Sequence, residues 1–405
     1  MKQTTQQRKA LCLLNFSGRY GGAEKRFATL FRYLLDHSFD FRLIINDQLY
    51  QIFIDNGVLV PDPRIVVFHD RGIFHSSGKS GVVEQPKSRK SGRKRHVLRR
   101  YAGQIKYFMK TLFLWMRFSV FFLSVVHRFR ITDLYGVWQG GVWTWMWCRL
   151  TCIRLTYSVN ASGRLMLYRR LFRFFDSQYY VMKHAHRLDF LSPALVPAYR
   201  YALKGRLKGE VLVSPHSLVN TEIFTPKYPK LAKVVFLGRM EALKNPWLFL
   251  HAVSMLQKKP ALAGVKYYMA GDGRLLPELK EYARNHLPQV VFTGVHDCPS
   301  DLLGDASVFV SLQVIENYPS QSLMEAMACA CGVVVTDVGE TRRLVTHREG
   351  LLVHASRDEV ALAIEKLLTD PDLRKALGDK AREKILSNHT PEKFAQWFAS
   401  LMMTG

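Results

Sequence analysis

Acidic residues are scarce: 33 aspartates and glutamates stand against 58 lysines and arginines, a formal net charge of +25. That imbalance calls for an anionic partner, whether nucleic acid, anionic lipid headgroups or a phosphorylated substrate. Cysteine is also sparse. Cys12, Cys148, Cys152, Cys298, Cys329 and Cys331 form no CxxC pair and no Cys/His cluster, which excludes a disulfide framework and a zinc site and leaves reduced thiols. The opening MKQTTQQRKALCLLNF has too short an apolar run for a signal peptide, since Asn15 and Ser17 interrupt it, so a cytoplasmic protein is expected. No G-x-G-x-x-G follows the first β-rich run, and GRYGGAE has glycines at another spacing, which speaks against a nicotinamide dehydrogenase. Heptad arrays and tandem repeats are absent.

What is there is a chain of 405 residues, 48% of them hydrophobic, long enough that one core usually divides into two domains. From 233 onward, short β-rich runs (233–239, 266–271, 290–294, 307–312, 332–338, 350–353) alternate with helical stretches (246–258, 275–287, 320–330). Such alternation predicts an α/β domain with a parallel, doubly wound, Rossmann-like sheet. The first half carries weaker signals of the same kind at 9–16, 41–46, 64–68, 131–138, 154–160 and 210–215, with a helix from about 22. The expected division is a first domain over 1–222, a second over 223–388, and a C-terminal helix over 389–405. The linker falls in NTEIFTPKYPKLA. Phe394, Trp397, Phe398 and Leu401 form an apolar stripe on that last helix, expected to pack back on the first domain.

The basic charge is concentrated. Between Arg71 and Arg130 Glu84 is the one acid, against a set of bases that includes Lys94, Arg95, Arg99 and Arg100. Residues 76–96 have the composition of a mobile loop. Residues 104–130 are apolar at nearly every position, with Lys106, Lys110, Arg117, Ser124 and Arg128 in a narrow stripe when set on a helix. Arg117 in mid-run argues against a membrane crossing. Two readings stay open: a helix packed on its domain's sheet, or one that also lies on an anionic bilayer surface through Lys94, Arg95, Arg99, Arg100, Lys106, Lys110 and Arg117. Tryptophans in GVWQGGVWTWMWCRL would then add interfacial anchors. No nucleic-acid-binding pattern appears, so nucleic acid is not an expected partner.

Three stretches carry chemistry. FLGRMEALKNP places Arg239 and Lys244 after a strand, where an open parallel sheet binds anionic ligands. MAGDGRL repeats the geometry, with Gly271 and Gly273 allowing a tight turn around Asp272. ENYPSQSLMEAMACACG leads from a strand to a helix beginning around Ser320 to Ser322, whose first-turn N–H groups form an anion site. Ser322 and Glu325 have the spacing of a capping box, a purely structural role. Asp370-Pro-Asp372 has D-x-D form but reads as a turn in a helix connector, so no metal is expected.

FLGRMEALKNP, AGDGRL, TG and ENYPSQSLMEAMACACG, followed by TDVGETRRLV and EGLLV, resemble the nucleotide-sugar domain of the retaining family 4 (group 1) glycosyltransferases of GT-B fold. GRYGGAEKRF resembles that family's glycine-rich loop, and VLVSPHSLVNTEIFTP its approach to the interdomain linker. The resemblance implies two Rossmann-like domains facing a cleft. It implies that Arg239 and Lys244 hold the donor diphosphate, with Gly21 and Gly22 approaching it. Glu325 would bind the ribose and Glu316 the sugar, in a donor site completed by Gly238, Gly271, Asp272, Gly273, Asn317, Tyr318, Pro319, Ser320, Gln321 and Ser322. Arg19, Glu24, Asn160 and Ser162 would face the acceptor. Two departures stand out. Eight residues lie between Glu316 and Glu325 where the family spacing is E-x7-E, and Asn317 has the family distance to Glu325. Asn160 stands where many members have a histidine, with His69 and His75 as substitutes.

The expected function is therefore a retaining glycosyltransferase with a nucleotide diphosphate sugar as donor and no permanent cofactor. Its acceptor would be a glycan or lipid-linked precursor of a cell-surface polysaccharide or lipopolysaccharide, met at the cytosolic face of the membrane. The alternative is a non-catalytic scaffold of the same fold, which the presence of Arg239, Lys244 and Glu325 opposes.

Overall fold

The structure is a computed structural model that describes residues 10–13, 22–69, 93–137, 139–159, 177–205, 207–213, 218–296, 298–315 and 317–403. Arg19, Gly21, Asn160, Ser162 and Glu316 lie outside these. The chain divides into two compact units: Met1–Phe190 with Leu195–Val213 and Ala395–Gly405, and Leu191–Ala194 with Ser214–Phe394.

Unit 1 runs β1 (Ala10–Leu13), α1 (Gly22–Asp36), β2 (Phe41–Asn46), α2 (Asp47–Asp55), β3 (Ile65–Phe68), α3 (Arg93–Phe129), β4 (Asp133–Val137), α4 (Gln139–Leu150), β5 (Arg154–Val159), α5 (Ser177–His184), β6 (Arg187–Phe190), α6 (Leu195–Ala202) and β7 (Glu210–Val213). The sheet has order β3-β2-β1-β4-β5-β6-β7, every pair parallel. Strands as apolar as FRLIIN and RLTYSV suit a sheet covered by helices on both faces. Beneath α1 and the chain's last helix the sheet carries a buried polar pair: Tyr135 donates from its hydroxyl to Asp189 of β6.

α3 is 37 residues long and starts at Arg93, so residues 93–96, read from composition as loop, are helical. Its Leu114, Phe118, Phe122 and Val125 are buried against the unit's core, with Phe118 edge-on to Phe68 at 5.3 Å. Trp115 Nε1 donates to the Trp143 carbonyl at 3.3 Å and Trp147 Nε1 to Ser119 Oγ at 2.8 Å. Trp143 is buried, and half-buried Trp145 and Trp147 pack on the same core, so all three contribute to the packing of unit 1. Arg117 is half-buried and donates to the His69 carbonyl at 3.2 Å.

Unit 2 runs β8 (Leu231–Leu237), a 3-10 turn (Ala242–Lys244), α7 (Pro246–Leu256), β9 (Lys266–Ala270), α8 (Leu276–His286), β10 (Val290–Gly294), α9 (Pro299–Gly304), β11 (Ala306–Ser311), α10 (Gln321–Ala328), β12 (Gly332–Thr336), α11 (Thr341–Leu344), β13 (Leu351–Val353), α12 (Arg357–Thr369), α13 (Pro371–Asn388) and the first residues of α14 (Pro391–Met403). Sheet order is β10-β9-β8-β11-β12-β13, again all parallel. Alternate residues serve opposite faces: Val308 and Val310 of β11 join the core under α7 and α12, while Phe309 joins the one under α10 and α13. The strand order reverses between β8 and β11, and a doubly wound sheet opens a crevice at its carboxyl edge at such a point.

Candidate functional site

The loops that leave β8 and β9 at that edge are stitched together by backbone. Gly238 N–H donates to Ala270 O at 3.0 Å, Met240 N–H to Asp272 O at 2.9 Å, and Leu275 N–H to Met240 O at 3.0 Å. This contact dictates the glycines of AGDG. Gly271 has φ +127, and a Cβ there would lie 2.0 Å from the Gly238 carbonyl oxygen; one on Gly273 would lie 2.6 Å from that of Met240. Asp272 turns back to accept from Gly273 N–H at 2.7 Å.

The stitched loops carry both expected cations, in unlike states. Arg239 is 68% exposed and pairs with Glu241 at 3.0 Å, a contact that solvent screens and an incoming phosphate can replace. Lys244 is half-buried at the end of the 3-10 turn, its aliphatic stem beside Gly238. Burial, helped by repulsion from Arg239 and opposed by Glu241, lowers its pKa from 10.5 to about 8. Asn245 follows in the left-handed region (φ 54) and Pro246 starts α7, so the chain turns sharply just after Lys244.

The third loop leads to α10. Its helix starts at Gln321, after Ser320, so Ser322 is already inside it and Glu325 lies in the second turn. The capping box expected of Ser322 and Glu325 therefore does not form. Glu325 is 5% exposed and accepts from Gln321 Nε2 at 3.2 Å, while the same amide donates to Leu218 O at 3.1 Å. Ser320 Oγ is buried and has no hydrogen-bond partner among the described residues. Val314 N–H donates to Leu243 O at 3.1 Å, tying this loop to the turn that ends in Lys244.

Asn317, Tyr318 and Ser320 line a small pocket of about 20 Å³ together with Gln313, Thr336 and Thr341. The last three were missed in the sequence; the signal of Gln313 and Thr336 is a polar residue closing an apolar run, as in GVVVT, whereas Thr341 opens a short helix (Thr341–Leu344). Thr336 Oγ1 donates to Gln313 O at 2.7 Å. A larger groove of about 530 Å³, lined by Arg348, Glu349, Lys380 and Lys384, lies at the amino end of β13 and plays no part in this edge.

Unit 2 thus gathers Gly238, Arg239, Lys244, Gly271, Asp272, Gly273, the loop 317–320 and the first turn of α10 with Gln321 and Ser322 at one edge. In unit 1, Gly22 opens α1 and Glu24 lies in its first turn. Lys94, Arg95, Arg99, Arg100, Lys106 and Lys110 are all residues of α3. Asp370 caps α13, accepting from Leu373 N–H at 2.9 Å, and Asp372 lies in the first turn of the same helix, where a negative charge is favourable. Among the described residues, no cluster of three or more His, Cys, Asp or Glu is placed to hold a metal ion.

Residues 232–370, which hold every element of this edge, match the family described as Glycosyl transferases group 1. Over 198 residues the chain is 28% identical to a Campylobacter jejuni protein named GalNAc-alpha-(1->4)-GalNAc-alpha-(1->3)-diNAcBac-PP-undecaprenol alpha-1,4-N-acetyl-D-galactosaminyltransferase, covering 47% of this chain and 55% of that one. It is 26% identical over 140 residues to the N-acetyl-alpha-D-glucosaminyl L-malate synthase of Bacillus anthracis, covering 34% and 36%. The chain spans about half the length, or less, of the curated relatives it matches. Among solved structures, Anabaena Alr3699/HepE in complex with UDP and glucose superposes with a TM-score of 0.70 at 15% identity, over 97% of this chain and 99% of that one. Residues 232–370 thus match the family described as Glycosyl transferases group 1, and the chain as a whole has the fold of the Alr3699/HepE structure, GT-B.

Proposed function

We propose that the protein is a retaining glycosyltransferase that moves a sugar from a nucleotide diphosphate sugar to a lipid-linked or glycan acceptor at the cytosolic face of a membrane. The observation that carries this reading is the pair of cations on stitched loops at the β8 edge. Arg239 and Lys244 lie where a diphosphate would meet fixed positive charge, and a leaving group that gains negative charge is stabilised most by charge already in place. That role requires no metal. In this reading Glu325, which accepts from Gln321, binds the ribose, and Asn317 rivals Glu316 for the sugar. As the bond from the anomeric carbon to the diphosphate oxygen breaks, that centre becomes oxocarbenium-like and the acceptor hydroxyl attacks from the same face, passing its proton to the departing diphosphate oxygen and keeping the configuration.

Further support comes from the relatives. The Campylobacter protein's name contains an undecaprenol-linked acceptor, and Alr3699/HepE was solved with UDP. The basic residues at the start of α3 fit an acceptor embedded in an anionic bilayer. The test is release of nucleoside diphosphate from UDP-, GDP- and ADP-sugars with membrane extract as acceptor, and NMR of the product's anomeric configuration. Arg239→Ala is expected to lower kcat roughly a hundredfold. Undiminished turnover in that variant, or an inverted product, overturns the reading.

A further inference from the structure

α3 has an outer face that the core does not use. Met109, Phe113, Met116 and Val120 are 56%, 54%, 47% and 72% exposed. Their spacing of four, three and four puts them on one ridge, about 16 Å long at the helical rise, opposite buried Leu114, Phe118, Phe122 and Val125. A helix packed on a sheet ordinarily turns polar residues outward; here the outermost positions are apolar and large. Farther along, the same face becomes polar, with exposed Ser124 and His127. Toward the amino end the helix carries Arg93, Lys94, Arg95, Arg99 and Arg100.

We infer that this ridge inserts among the lipids of an anionic bilayer, with α3 lying along the surface. An apolar ridge continuous with a basic helix start matches a bilayer interface, where acyl chains lie just below negative headgroups. The segment Thr111–Phe129 is long and apolar enough to cross a membrane by length and composition. Its buried face, however, is committed to the core of unit 1, and Trp115 and Ser119 pin it there. The insertion deepens the membrane reading proposed above and rests on it, but that reading used only charge.

Flotation of the full chain with phosphatidylcholine vesicles and with phosphatidylcholine/phosphatidylglycerol vesicles, at low and high salt, separates the two. Wild type is expected to float with the anionic vesicles and to keep part of its binding in high salt. Phe113→Ser combined with Val120→Ser is expected to weaken that salt-resistant part at least about tenfold without lowering the melting temperature, because both side chains point away from the core. Leu362→Ser, at a 66% exposed apolar position of α12, is the control and leaves flotation unchanged. Equal high-salt flotation of wild type and double variant overturns insertion and spares the charge-based reading. No flotation of wild type overturns both. Resistance of bound protein to a carbonate wash would mean that α3 crosses, and a solution dimer dissolved by the double variant would mean that the ridge joins two copies; either overturns the inference. Diphosphate release assayed with a soluble acceptor reports on the transferase reading by itself.

Discussion

Lys244 and Arg239 occupy one loop and have the same formal charge, yet burial makes them different instruments. Burial lowers the Lys244 pKa from its ordinary 10.5 to about 8, so it is cationic below that pH and loses its charge as pH rises through it. A bound diphosphate would favour the charged form, so nucleoside diphosphate affinity is expected to fall from about pH 7 to about pH 9.5, by roughly tenfold if one charge-assisted bond is lost. Lys244→Arg is expected to flatten that profile, and titration calorimetry at each pH checks both. The stability sign is opposite. With the folded pKa depressed, the unfolded chain binds more protons between about 8 and 10.5, so the Lys244 contribution favours the folded state increasingly across that window. A binding curve that fell in step with a loss of stability would therefore not be reporting Lys244. Glu325 makes a second residue-scale prediction: with the ribose and sugar roles proposed above, Glu325→Gln is expected to weaken UDP and UDP-sugar alike, whereas Asn317→Ala is expected to weaken only the sugar-bearing ligand, as titration calorimetry with each would report. None of this inequality was legible in FLGRMEALKNP, where two cations look alike, because desolvation depends on neighbours that the local sequence does not name.

Single elements were read well where their apolar runs are long, and poorly where a few residues decide. KVVFLGR and KYYMAG became β8 and β9 within a residue or two, but RLDF of β6 was missed because its four residues include a charge at each alternate position. Asp189 can be buried there because Tyr135, far away in sequence, donates to it. The capping box failed for a related reason: its spacing is present, but α10 begins one residue before Ser322. AGDG was legible as a turn and illegible as a seam, since the Gly238 and Met240 carbonyls that exclude a Cβ belong to another loop. Gly271→Ala is thus expected to cost about 2 kcal/mol or more, combining left-handed backbone with a 2.0 Å collision. Gly264→Ala, where a Cβ would meet nothing within 4 Å, is expected to be near neutral. Urea denaturation of both variants checks the pair, and equal costs would remove the seam as the reason for the glycine.

At the scale of the whole molecule, the α/β rhythm was enough to give two parallel sheets, while the return of the chain's end depended on one apolar stripe. Residues from Ala395 onward belong with unit 1, although those before them belong with unit 2. Phe398 is 2% exposed and meets Tyr135 edge-on at 5.1 Å, over the strand that supplies the buried Tyr135–Asp189 hydrogen bond. Arg187 Nη1 adds a donor to the Leu401 carbonyl at 2.6 Å. A first unit that borrows its last residues in this way is incomplete without them. Phe398→Ala is expected to cost unit 1 about 3 to 5 kcal/mol, as a large aromatic side chain leaves a cavity beside Tyr135. Unit 2, which lacks Phe398, should keep its own transition. Hydrogen exchange followed by proteolysis resolves the two: faster exchange in peptides from β4 and β6, with β8 and β11 unchanged, is the expected pattern. Equal acceleration in both units would mean that they unfold as one and that the tail does not serve unit 1 in particular.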